Sequence, residues 1–290
     1  MSPEIYPLTL TRDYKSLLCG GLSLGEIETE INNEINIQYP WDLIVENERI
    51  IGANLDFIIK NQKLKEIRDN VFVGENVEIA KEVAFISNTK KKIVISDGAV
   101  IEPFALIEGP VFIGKNSRIM ASAQIRNAVT IGESCKVGGE VSSSVISNYS
   151  NKAHFGFIGH SYIGEWVNLG AGTTNSNLKN TYGTVRVDYR GVRMETGLTF
   201  LGCVIGDFCK TAINTAIYTG KIIGVNSHLF GAVKGNVPSF VNYDSGKMSE
   251  FDLVVAGKVQ ERMFLRRGIK QTEKDLKVLK SVFESTKEDR

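Results

Sequence analysis

Cysteine is scarce and unpatterned in this chain of 290 residues: Cys19, Cys135, Cys203 and Cys209 form no CxxC pair and are too sparse for a disulfide-stapled secreted scaffold. They read as reduced thiols in or near a core. An excess of charge of either sign is lacking as well. With 34 Lys and Arg against 33 Asp and Glu the net charge is +1, so neither nucleic acid nor a membrane surface is expected as a partner. No apolar run approaches the ~20 residues that crossing a bilayer requires, and residues 1–30 carry acids and no signal-peptide core. A cytoplasmic location is the resulting expectation. Histidine occurs only as His154, His160 and His228, and no metal is expected.

What the chain does have is a period. Ile95, Ile101, Ile107, Ile113, Ile119, Ile125, Ile131 and Val137 recur every six residues, which fits neither the 3.6 of a helix nor the 2 of a half-buried strand. Single aliphatics at this interval predict a parallel β-helix of hexapeptide repeats, each repeat a short strand and a turn. The fold class is therefore all-β, a left-handed parallel β-helix with an irregular N-terminal segment and a C-terminal helical tail. Three strands make a coil, and coils stack at about 4.8 Å, so Ile95 lies over Ile113 and Ile131. Glycines after Val73, Ile113, Ile131, Ile163, Leu169, Ile205 and Ile223 let the backbone bend between faces.

Three regions separate. Residues 1–69 read as extended and irregular, with one short helix near Glu26 to Ile31; residues 70–240 as the β-helix; residues 241–290 as the helical tail. The period breaks at Asn88 to Lys92, Gly138 to Ser144 and Thr174 to Gly197. It is expected to resume at Val145, Asn151, Phe157, Ile163 and Leu169, then at Ile205, Thr211, Ile217, Ile223 and Leu229. In the tail, Ser249-Glu-Phe-Asp252 and Thr272-Glu-Lys-Asp275 look like helix-start capping sequences, with Gly268 between the two helices.

Chemistry is expected where the repeat fails. Residues 150–177 gather His154 and His160, Trp166 and a run of asparagines, and the loop Thr174 to Gly197 follows. Lys152-Ala-His154, Ile163-Gly and Asn168-Leu-Gly-Ala-Gly-Thr173 resemble the acetyltransferase half of GlmU, the bifunctional glucosamine-1-phosphate acetyltransferase and N-acetylglucosamine-1-phosphate uridyltransferase. Pro7-Leu-Thr-Leu-Thr-Arg12, Tyr39-Pro-Trp-Asp42, Gly138-Gly-Glu-Val141, Gly164-Glu-Trp166, Thr173 to Asn180, Ile213-Asn-Thr215 and Arg266-Arg-Gly268 resemble a GlmU-like branch of sugar nucleotidyltransferases. The resemblance implies His154 as catalytic base, Asn168 and Asn177 on the substrate side, and acetyl-CoA as co-substrate.

Two departures narrow that implication. Only Asp13 to Gln38 lies where the branch carries a nucleotidyltransferase domain, and the chain has no Gly-x-Gly-Thr-Arg loop, so nucleotidyl transfer is not expected. A lysine that grips phosphate in the family falls at Ser142, tyrosines at Phe157 and Leu178, and a further lysine near Gly183. Arg186, Arg190 and Arg193 are candidates to replace those ligands.

Acyl transfer needs a base near neutrality, and an imidazole titrates near ~6.5. Acyl-CoA is expected along Ala212, Ile213, Phe230 and Gly231, and the acceptor to be an amino sugar phosphate or nucleotide sugar. His160 and His228 read as solvated turn residues, and Trp166 as packing against a neighbouring subunit. A homotrimer is expected, since flat prism walls pack in threes in enzymes of this kind. The alternative is a non-catalytic trimeric scaffold or regulatory partner of a separate nucleotidyltransferase.

Overall fold

A computed structural model describes residues 4–31 and 34–290; residues 1–3 and 32–33 of the expected N-terminal segment lie outside the described residues. Short parallel strands stack into a three-walled, left-handed β-helix. The first wall runs from Val71–Val73 through Ile93–Ile95, Val111–Ile113 and Val129–Ile131 to Lys221–Ile223. The second runs from Glu78–Ile79 to Val241–Asp244, and the third from Ala84–Ile86 to Ala232–Val233. Ile113 pairs with Ile95 below and Ile131 above, so the eight aliphatics of the ladder stack within one buried core.

The ladder shifts phase above Val137. Inward positions are Val141, Ile146, Lys152, Ile158 and Ile163, so Val145, Asn151 and Phe157 are not the core residues that the six-residue count predicted. The cause is local shortening: Val141 follows Val137 by four residues, across the corner Gly138-Gly139, and Ile146 follows Val141 by five. Gly139 sits at φ +64°, where a Cβ would come within 2.7 Å of both the Gly156 carbonyl oxygen and Lys152 Nζ. Higher up, the third wall breaks between Phe157–Gly159 and Thr174–Asn175, and a buried amide spans the gap. Asn175 accepts from the Gly159 N–H at 2.8 Å and donates to its carbonyl at 3.0 Å, supplying bonds that a neighbouring strand would give.

The N-terminal segment is not all extended. Asp42–Asn61 forms a 20-residue helix, α1, whose buried stripe includes Leu43, Ile50, Leu55 and Ile58 against the first wall. Asn47 and Asn54 occupy the same stripe and hide its period in the sequence. Asn47 accepts from Gly20 N–H and from the Thr130 hydroxyl and donates to the Ala128 carbonyl at 2.7 Å. Higher up, Arg12 reaches Glu165 at 2.8 Å and Asp207 at 3.0 Å, while Thr11 donates to Asp207. Burial opposes the Arg12 charge, and the two carboxylates more than offset it. The sequence segments Pro7 to Arg12 and Gly164 to Trp166 are thus two sides of one buried ionic joint.

The tail begins with a hairpin, Val241–Asp244 against Lys247–Glu250. Helix α2, Leu253–Leu265, is capped by Asp252 and not by Ser249, which lies in the hairpin. Helix α3, Glu273–Ser285, starts with the Thr272–Asp275 capping box that its sequence announces. Phe264 of α2 packs on Trp166 at 4.6 Å, and Trp166 stacks on Tyr149 at 4.4 Å, so Trp166 is packed within its own chain. Among the described residues no helix is long and apolar enough to cross a membrane. All four cysteines are buried and free, and burial pushes the thiols of Cys135, Cys203 and Cys209 up to about 12.

Candidate active site

His154 stands at the prism edge between the second and third walls, in the turn joining Asn151–Lys152 to Phe157–Gly159. The side chain that shapes this turn is buried beneath it. Lys152 takes the inward position that Val137 holds one coil below, and its ammonium donates to the carbonyls of Gly138 at 2.7 Å and His154 at 3.0 Å. Desolvation pushes this ammonium down to about 8. The imidazole of His154 itself is exposed.

The edge above His154 is built for close stacking. Gly172 donates to the Phe155 carbonyl at 3.0 Å, and Asn214 to the Ala171 carbonyl at 2.7 Å. A Cβ on Gly170 would meet the Ala212 backbone at 2.7 Å, and one on Gly172 the Asn214 side chain at 2.2 Å, so only glycine fits either corner. Ala212 and Ile213 occupy the next turn of this edge, and Phe230 and Gly231 the one after. At about 4.8 Å per coil, Ile213 and Phe230 lie roughly 10 and 14 Å above His154. Phe155, Ile213 and Phe230 are 68%, 69% and 45% exposed, which leaves an apolar ridge open along this edge.

The remaining candidates lie elsewhere in the chain. Asn177 is at the edge between the third and first walls, where its amide bonds His160 Nδ1 at 2.9 Å. His160 also stacks on Phe200 and is half-buried, with burial lowering its pKa, so it is not a solvated turn residue. His228 is half-buried too. It packs on Phe251, and its pKa is pushed down to about 4 by burial and then by Lys210.

Arg186 and Arg190 belong to a hairpin, Arg186–Tyr189 with Val192–Glu195, that folds onto the first wall through Val185 and Val187. In a triangular prism that wall is opposite the His154 edge. Arg186 pairs with Glu195, Arg190 with Glu4 and Arg193 with Asp188, so none is brought to His154 within the chain. Asn168 projects from the second wall directly above Asn151, into a cleft beneath the tail.

Two curated relatives carry the resemblance. A bifunctional sugar-1-phosphate nucleotidylyltransferase/acetyltransferase of Sulfurisphaera tokodaii is 34% identical over 202 residues, 69% of this chain and 45% of that protein. The bifunctional protein GlmU of Synechococcus elongatus is 30% identical over 187 residues, 64% of this chain and 35% of that protein. The chain thus spans less than half the length of either. Among solved structures, a UDP-N-acetylglucosamine acyltransferase of Francisella novicida covers 75% of this chain and 89% of its own, at 15% identity and a TM-score of 0.45. No protein-family model matches. Over about two thirds of its length the chain resembles GlmU-like bifunctional proteins.

Proposed function

We propose that this chain transfers an acyl group from acyl-CoA to an amino sugar phosphate or nucleotide sugar, with His154 as general base. One observation supports the reading above others: His154 shares an open, glycine-lined prism edge with Ala212, Ile213, Phe230 and Gly231. An extended pantetheine arm following that edge would present its thioester near the imidazole. His154 takes the proton from the attacking amine or hydroxyl as the new bond to the thioester carbon forms. The imidazolium then returns a proton to the departing thiolate. A backbone N–H of the edge would face the developing oxyanion.

The reading includes a cytoplasmic homotrimer. Helix α1 covers the first wall and the tail covers part of the second. The outward side chains of the third wall join neither of these packing clusters. Phe104 and Phe155 stand exposed at its border. A neighbouring copy packed there would bring Asn177 or Asn168 toward His154 from another subunit, which no single chain does. Among the described residues the His154 imidazole has no orienting partner, which also suits the scaffold alternative, and turnover separates the two. With acetyl-CoA and a panel of amino sugar phosphates and nucleotide sugars, thiol release is expected from the wild type. It should fall by ~10²–10⁴-fold in His154→Ala, the usual scale for losing a general base. No release from any acceptor between pH 6 and 9 would leave the scaffold.

A further inference from the structure

The cleft that receives Asn168 lies on the second wall under the tail and has a volume of about 440 Å³. Its outstanding property is uncompensated charge. Lys136 and Lys210 rise from the wall, and Arg266 and Arg267 descend from the end of α2. No carboxylate lines the cleft, and among the described residues none of these four cations forms an ion pair. One coil lower the wall is neutralised, where Arg118 pairs with Glu102 at 2.9 Å. The acids nearest the cleft are engaged elsewhere: Glu133 accepts from Tyr149 at 2.7 Å and Glu165 pairs with Arg12.

The four cations are aimed by the fold. The N–H groups of Arg267 and Ile269 both return to the Phe264 carbonyl at 2.9 Å, and Gly268 at φ +70° turns the chain after the two arginines. Arg267 then spends one donor on Asn151 Oδ1 at 3.0 Å, and the rest of its guanidinium stays available. Lys210 donates to the Phe208 carbonyl at 2.8 Å, which occupies one of its three donors. His228, beside Lys210 in the strand register, adds no charge near neutrality. Asn151 and Asn168 supply amides on the floor.

We infer that this cleft is a binding site for the phosphate of a small phosphorylated molecule, a sugar phosphate or a nucleoside diphosphate. Lys210 and Arg267 are partly withdrawn from water without a counter-charge, which is costly, while Lys136 and Arg266 are exposed at the mouth; a dianion offsets that cost. Two guanidiniums and two ammoniums supply the charge-assisted donors that phosphate oxygens accept, and the amides suit a hydroxyl-rich neighbour of the phosphate. The site does not depend on acyl transfer, because nothing in it needs His154 to act.

Calorimetric titration of the full chain at low ionic strength tests it with three probes: inorganic phosphate, a hexose 1-phosphate and a nucleoside diphosphate. At least one organic phosphate should bind more tightly than inorganic phosphate, and whichever wins identifies the source of the phosphate. Lys210→Met should weaken it at least ~10-fold, the scale of a lost charge-assisted hydrogen bond, and Lys210→Arg should restore most of the loss. Lys136→Gln, at an exposed position that the fold does not need, should weaken it a few-fold. The inference is overturned if none of the three probes binds at about 10 mM, a level at which even feeble sites fill. It is equally overturned if binding is unchanged in Lys136→Gln and in whichever Lys210 variant folds.

Discussion

The coils from Ile95 to Val137 and the coils from Gly138 upward obey the same stacking rule with different materials. In the lower set every inward strand position is aliphatic, and each strand finds its partner six residues per wall further on. In the upper set the inward positions include Lys152, Asn175 and Thr211, all buried. Lys152 stands at a short corner and Asn175 where the third wall breaks, and all three bond backbone groups of the coil below. Regular coils rest on burial at their strand positions, with Ser117 bonding backbone only at a corner, while irregular ones need specific hydrogen bonds at the inward positions themselves. His154, Asn168 and Asn177 all belong to the second kind.

Breaking the contrast should begin in the lower coils. Ile119→Ala is expected to cost about 2–5 kcal/mol in urea unfolding, since a buried aliphatic and its cavity are both lost. Asn175→Ala should cost about 1–3 kcal/mol for the Gly159 N–H it orphans, while the Gly159 carbonyl keeps the Ser161 hydroxyl at 2.9 Å. If Asn175→Leu restores stability, burial alone governs the upper coils too, and the contrast fails.

Lys152→Met separates packing from positioning. Exchanging the buried ammonium for an apolar chain of similar volume ends a desolvation cost but leaves two carbonyls without a donor, so the melting temperature should change little or fall modestly. The two carbonyls then lose their donor and the His154 turn loosens, so the rate of thiol release should drop by about 10-fold or more. Equal rates in the two proteins would make Lys152 a mere filler.

The smallest expected effect is with pH. Burial holds Lys210 at about 8, so it is mostly an ammonium at pH 7 and mostly an amine at pH 9. The groups facing it keep their charge over that span: His228 is neutral, Arg266 and Arg267 are cationic, and Asn168 does not titrate. Phosphate binding in the cleft should therefore weaken a few-fold from pH 7 to pH 9 in the wild type and stay flat in Lys210→Arg.

Much of the prism was legible because one aliphatic per hexapeptide is a strong signal. The phase above Val137 was not, because Lys152 does not look like a core residue until its carbonyl partners are known. Helix α1 was hidden for the same reason: Asn47 and Asn54 sit in its buried stripe, Asn47 bonding Gly20 and Ala128 and Asn54 donating to the Cys19 carbonyl, all from elsewhere in the chain. His154 stood out through its local motif, and its place on one edge with Ala212 and Phe230 follows from the repeat. Arg186 and Arg190 were misplaced because a loop's landing site depends on long-range packing, here of Val185 and Val187. The cleft had no sequence signature beyond Arg266-Arg-Gly268, since its lysines come from strands 74 positions apart (Lys136 to Lys210).

The most direct test of the central claim is a crystal of the protein soaked with CoA. The account predicts a pantetheine arm along Ala212, Ile213, Phe230 and Gly231, with its sulfur within about 4 Å of the His154 imidazole, a near-attack distance. CoA bound on another edge, or none bound at saturating concentration, would contradict it.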